Sequence, residues 1–277
     1  MTRPAGLLVF VILFVALCSA VPPRGAIAQE GAKAPAQERA QEPIAILAYH
    51  RFDPTTPGPT TVTTPVFEQQ LEWLAAHHYK IVPLQAVVDG LRGKAPPVAS
   101  PAVTITADDG HRSVYTYLFP IIRRLHIPVT LFIYPSAISH ASYALTWDQL
   151  KEMLASGLVT VQSHTYWHPD FRKERAHRSP EDYRAFVDNQ LTRSKSVLES
   201  RLGIKVDMLA WPYGIVDPEL EAAAVRAGYV VAFGFGGGPA APGGDLFALP
   251  RVPMSNAARG ASFGALLTST PAGKPTP

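Results

Sequence analysis

The 277-residue sequence holds one cysteine, Cys18, and it falls within an N-terminal apolar run. A chain cut downstream of Cys18 therefore has no disulfide framework and no thiol chemistry. The apolar run, Leu7 to Ala20, is short for a membrane span and has no lysine or arginine stop-transfer cluster after it. It is preceded by Arg3 and followed by an A-x-A site at Ala26-Ile27-Ala28, so residues 1–28 read as a cleavable signal peptide. A retained anchor is the alternative, and the only expected route to a membrane. Cys18 follows Leu17, where a lipoprotein signal expects a small residue. A strong charge of one sign is also lacking. The formal net charge of +3 falls to +1 once Arg3 and Arg24 are removed, since residues 1–28 contain no acid. Nothing in this balance points to a nucleic-acid partner. No internal repeat stands out, and the glycine-rich stretch Gly234–Gly244 lacks the following Lys-Ser/Thr of a phosphate cradle. An exported enzyme, periplasmic or extracellular, stabilised by core size alone, fits these absences.

What is present is a chain with 47% hydrophobic residues, enough for a sizeable core. Residues 29–42, polar and Ala-rich with proline, read as a linker, and residues 263–277 as a disordered tail. A single domain is expected over 43–262. Within it, apolar runs at Ile44–Tyr49, Val103–Ala107, Val129–Ile133, Leu158–Gln162, Met208–Trp211 and Tyr229–Phe233 read as strands. They alternate with helical patterns at Val66–His77, Leu84–Leu91, Ser113–Leu125, Trp147–Ala155, Pro180–Leu202 and Pro218–Ala227. Ser179 before Pro180 marks a helix start, and Gly157, Gly203 and Gly228 mark ends. The alternation predicts an α/β fold with a parallel sheet, either open and doubly wound or a barrel. Both architectures place ligands at the carboxyl ends of the strands.

Those ends carry the chemistry. Tyr49-His50, Asp108-Asp109-Gly110, Ser163-His164 and Trp211-Pro212-Tyr213-Gly214 each close a predicted strand. Adjacent aspartates repel unless a cation holds one of them. Asp109, His164 and His168 offer one carboxylate and two imidazoles, a set suited to Zn²⁺ with Co²⁺ or Ni²⁺ as alternatives, and three protein ligands leave positions open. The four-residue spacing of the histidines predicts that they share one helical turn. Asp108 is then a free carboxylate beside metal-activated water, a general-base candidate. The aromatic residues Tyr166, Trp167 and Trp211 beside this rim are candidate sugar-stacking groups.

These residues resemble the polysaccharide deacetylase (NodB-homology, carbohydrate esterase family 4) superfamily. Its T-F-D-D-G motif appears as Thr106-Ala107-Asp108-Asp109-Gly110, and its H-[ST]-x-x-H motif as His164-Thr165-Tyr166-Trp167-His168. The resemblance spans about residues 44–255. It implies a distorted (β/α) barrel of about seven parallel strands and metal-dependent removal of N-acetyl, sometimes O-acetyl, groups from sugar polymers. It makes Asp108 the base, Asp109, His164 and His168 the metal ligands, and the Tyr213 backbone N–H an oxyanion donor.

Two departures from the pattern matter. The family's third motif begins with arginine, but Ala210 stands there. Arg251, in Leu249-Pro250-Arg251, is the candidate replacement, and it is counted with Tyr166, Trp167 and Trp211 among the substrate-binding candidates. The late motif carrying the general acid is absent, since no histidine follows His177. Tyr49-His50 resembles instead the exported branch acting on poly-β-1,6-N-acetylglucosamine, which implies that His50 protonates the leaving amine. The expected partner is an acetylated polysaccharide. The competing readings are an O-acetyl esterase on xylan or peptidoglycan, and a catalytically weak carbohydrate-binding accessory protein.

Overall fold

The computed structural model of the protein describes residues 42–236 and 238–269. The segments read as a signal peptide and as a linker, up to residue 41, and the last eight residues of the expected tail, 270–277, lie outside the described residues. Among the described residues no helix is long and apolar enough to cross a membrane.

The chain begins with β1 (Ala45–Tyr49), followed by a short parallel pair, β2 (Arg51–Asp53) and β3 (Thr61–Thr63). Then come α1 (Thr64–Ala76), β4 (Lys80–Ile81), α2 (Leu84–Leu91) and β5 (Ala102–Asp108). A π-helical turn at Val114–Leu118 runs into α3 (Phe119–Leu125), with β6 (Val129–Ile133), α4 (Trp147–Ala155) and β7 (Val159–Ser163) after it. α5 (Phe171–Ala176) and the long α6 (Pro180–Leu202) precede β8 (Met208–Ala210), α7 (Pro218–Arg226) and β9 (Val231–Phe233). β10 (Val252–Pro253) and α8 (Gly260–Thr268) complete the described chain.

Apart from β2 and β3, the strands form one parallel sheet in the order β10-β1-β5-β6-β7-β8-β9, with β4 paired beside the start of β5. Leu249 bonds to β9 and Val252 pairs with Leu47 of β1, so residues 249–252 span the two edges of the curled sheet. This is the expected distorted barrel, seven strands along its path. The period-2 alternation of strands sorts side chains to its two faces. On β5, Val103, Ile105 and Ala107 join the outer core under the helices. Thr104, Thr106 and Asp108 therefore face the interior. Phe132 of β6 and Phe233 of β9 fill that interior with Ile46 and Met208.

Helix boundaries follow local chemistry. Thr146 and Gln149 make a reciprocal capping box on α4. The Ser179 side chain caps α6, which ends at Gly203 in the left-handed region. Two expectations need correction. The domain does not end at 262, because α8 continues to Thr268 with Phe263 and Leu267 buried. Its Gly264 is needed for close packing: a Cβ there would lie 2.4 Å from the Trp73 ring. The second correction concerns residues 164–168. They form a loop after β7 and not a helical turn.

Candidate active site

The expected rim is present. Register pairs Tyr49 with Ala107, Asp108 with Phe132, Ser163 with Leu209 and Ala210 with Phe233. His50, Asp108-Asp109, His164 and the 211–214 turn therefore leave neighbouring strands at the same end of the sheet.

Asp108 is fully buried, and Arg251 meets it in a bidentate pair, Nη1 to Oδ1 and Nη2 to Oδ2, both at 2.7 Å. The guanidinium also donates to Thr106 Oγ1 and to the Gly234 carbonyl, each at 3.3 Å. It lies over the rings of Phe132 and Phe235. Burial pushes the Asp108 carboxyl up, but Arg251 and the nearby His164 outweigh it and hold the group at about 2. Asp108 is thus a carboxylate at neutral pH, fixed in orientation by a planar fork. Arg251 therefore stands against Asp108, the carboxylate that the missing motif arginine is expected to brace. Its Nε and both Nη atoms are engaged on Gly234, Thr106 and Asp108, so it sits behind the carboxylate and not among the substrate contacts, which corrects its place among the substrate-binding candidates.

Asp109 turns away from the strand with φ 71°, next to Gly110 at φ 69°. Glycine suits this position, since φ is left-handed and a Cβ on Gly110 would press on Ile133 Cδ1 at 2.9 Å. The result places Asp109 Oδ1 3.6 Å from His164 Nε2 and 3.5 Å from His168 Nε2. His164 Nδ1 lies 2.7 Å from the Ala210 carbonyl, which only accepts, so Nδ1 carries the proton and Nε2 presents a lone pair. Burial lowers the His164 pKa to about 4 despite the Asp108 charge, and burial also lowers that of His168. Both rings are neutral at pH 7. Asp109 Oδ1 is buried and has no hydrogen-bond partner among the described residues. All three ligand atoms lie within 4.8 Å of one another. This arrangement of one carboxylate and two imidazoles makes the three residues a candidate site for a divalent cation.

Around this triad stand groups at the surface. The Tyr213 ring meets His168 edge-on at 4.7 Å, and Tyr213 has φ 56°. Asp109, Thr165, His168 and Tyr213 are all non-glycine residues in the left-handed region. Such backbone costs free energy, and its concentration here marks a functional site. His50 is half-buried and stacks on Phe235 at 5.8 Å.

The three aromatic candidates part company. Trp167 is 41% exposed and lines a cleft of ≈ 420 Å³ with Tyr134, Ser136, Tyr143 and His168. Tyr166 is half-buried under the Arg193 guanidinium, 3.9 Å from its ring centre. Trp211 is wholly buried, packs edge-on against Phe171 and donates its Nε1–H to the Phe247 carbonyl. Trp211 is a core residue and not a sugar platform, because the strand alternation turns it toward the helices. The sequence reading passed over Tyr134 and Tyr143, whose hydroxyls lie 3.1 Å apart in the cleft, and Phe235 beneath His50.

The family model described as polysaccharide deacetylase matches residues 95–232. That span holds Asp108, Asp109, His164, His168 and Tyr213 but neither His50 nor Arg251. The chain is 27% identical over 201 residues to the poly-β-1,6-N-acetyl-D-glucosamine N-deacetylase of Staphylococcus epidermidis, covering 71% of this chain and 68% of that protein. It is similar to the structure of IcaB from Ammonifex degensii, with a TM-score of 0.69 and 27% identity over 78% of this chain and 93% of that one. The deacetylase PplD of Streptococcus pyogenes, solved in complex with acetate, shares the fold with a TM-score of 0.72 at 23% identity, covering 82% of this chain and 99% of that one.

Proposed function

Since the chain carries a polysaccharide deacetylase domain, we propose that it is an exported N-deacetylase acting on an N-acetylglucosamine polymer, with poly-β-1,6-N-acetylglucosamine the favoured substrate. The observation that carries this reading is the convergence of Asp109, His164 and His168 beside an ionised, braced Asp108. The similarity to poly-β-1,6-N-acetyl-D-glucosamine N-deacetylase supports the choice of polymer.

Asp109, His164 and His168 would hold the divalent ion, Zn²⁺ by its fit to one carboxylate and two imidazoles, with Co²⁺ or Ni²⁺ as alternatives. When bound, the ion supplies Lewis acidity, acidifying water and polarising the acetyl carbonyl. The residues of the chain do the rest. Asp108 Oδ takes the proton from the attacking water as its oxygen joins the acetyl carbon. Arg251 keeps that carboxylate ionised and aimed. The Tyr213 backbone N–H donates to the oxygen on which charge develops. His50 gives a proton to the amide nitrogen as the C–N bond breaks, leaving acetate and a free amine on the sugar. Trp167 and the tyrosines of the adjoining cleft bind the flanking sugar.

The test is acetate release from poly-β-1,6-N-acetylglucosamine oligomers by residues 29–277, run beside chitin and acetylxylan oligomers. Preferential release from the first supports the proposed substrate. Release from acetylxylan alone would replace it with an O-acetyl esterase, and no release with retained binding would leave a saccharide-binding protein.

A further inference from the structure

His164 and His168 do not share a helical turn, so helix periodicity does not bring their rings together at 4.6 Å. The loop between them holds two residues in the left-handed region, Thr165 at φ 65° and His168 at φ 64°. Such a path persists only where its surroundings determine it. The Thr165 N–H donates to Ser163 Oγ, and the His168 N–H to Thr165 Oγ1. The two residues at the centre of the loop both donate to one atom outside it. The Tyr166 and Trp167 N–H groups lie 3.2 and 3.1 Å from Gln190 Oε1.

Gln190 sits on the buried face of α6 with Tyr183, Val187, Leu191, Ser194 and Leu198. A primary amide in such a stripe is costly unless its polar atoms find partners. One turn on, Ser194 Oγ meets Ser163 Oγ at 2.8 Å, at the residue just before His164. Gln190 and Ser194 of this buried face thus both reach the ligand loop or its root.

We infer that Gln190 is a positioning residue for the metal centre: its buried amide oxygen holds the loop that turns both histidine Nε2 atoms toward Asp109. This rests on reading Asp109, His164 and His168 as the metal ligands. Gln190 accepts from the backbone between the two histidines and acts through it, as groups supporting a metal site often do.

The test is metal affinity. Gln190→Met keeps the volume and removes the acceptor, whereas Gln190→Glu keeps an acceptor. Zn²⁺ and Co²⁺ dissociation constants are measured by competition with a chromogenic chelator on residues 29–277, alongside the Co²⁺ d–d spectrum and the Tm of the metal-free protein. We expect Q190M to bind metal about 10–100-fold more weakly with an altered spectrum, and Q190E to recover most of that loss. A folded Q190M with wild-type affinity and spectrum, altered only in Tm, would overturn the inference in favour of a purely structural role. If Q190M does not fold, Gln190→Asn, which keeps the amide but shortens its reach, takes its place with the same two outcomes. A wild-type protein that binds neither ion would overturn the metal reading itself, and this inference with it.

Discussion

Arg251 and Asp108, 143 residues apart in sequence, meet inside the barrel through two parallel 2.7 Å contacts, with neither side chain exposed to solvent. This pair explains how a carboxylate stays ionised where burial opposes ionisation. It also ties the last strand of the sheet to the centre of the candidate site.

Removing one member of such a pair leaves an uncompensated buried charge, which costs about 3–5 kcal/mol. Arg251→Met is therefore expected to lower stability by that amount in urea denaturation. The Asp108→Asn, Arg251→Met double variant should recover part of the loss, because both charges are gone. Asp108→Asn alone should cut turnover by about 10²–10⁴-fold if the carboxylate is the base. Full turnover with metal bound would remove that role.

Acid should destabilise the metal-free protein in a defined window. His164 has its pKa lowered to about 4 by burial, below its ordinary value of 6.5. Between these values the unfolded chain binds a proton that the folded chain refuses, so stability is full above pH 6.5 and falls as pH drops toward 4. Asp108, held at about 2 against an ordinary 3.8, adds a second loss between those lower values. Tm measured against pH on metal-free protein checks this, and His164→Gln should flatten the upper part of the curve. An equally steep wild-type and variant profile would show that His164 is not its source.

His50 is assigned the leaving-group proton, and an amine needs that proton far more than an alcohol does. His50→Ala is expected to slow N-deacetylation by about 10²–10⁴-fold while sparing hydrolysis of an activated acetyl ester. Parallel kinetics on the two substrates separate the outcomes. Equal losses on both would indicate a structural histidine on Phe235.

Trp167 and Tyr143 are 41% and 43% exposed beside His168. A stacked sugar contributes about 1–3 kcal/mol, taking base–aromatic stacking as a guide. Trp167→Ala should then raise KM for oligomers about 10-fold with little change in kcat, and leave a small acetyl ester unaffected. A KM that does not move on any oligomer length would remove the cleft from the binding surface.

The sequence was most legible where period and punctuation agreed. Buried runs such as Val129–Ile133 and the capped span Pro180–Leu202 appear at their expected positions. Once the strands alternate with helices, their carboxyl ends gather His50, Asp108, Asp109 and His164 on one rim. Legibility failed where a tertiary contact overrode local pattern. The spacing of His164 and His168 suggests a helix, but the loop path is set by Gln190, a residue on another element. Residues 263–277 read as a disordered tail, yet Gly264 lies within α8, packed against Trp73. Trp211 reads as a rim aromatic, but strand alternation sends it into the core. The Arg251–Asp108 contact is a long-range pairing that local pattern does not encode; only the missing motif arginine hinted at it.

The central claim is metal-dependent deacetylation by the Asp109, His164 and His168 set with Asp108 as base. The most direct test is acetate release from poly-β-1,6-N-acetylglucosamine oligomers before chelation, after chelation, and after Zn²⁺, Co²⁺ or Ni²⁺ is restored. The account predicts release that stops with chelator and returns with metal in the wild type, and that metal does not restore in Asp109→Ala. Acetate release that persists in metal-free protein would contradict it.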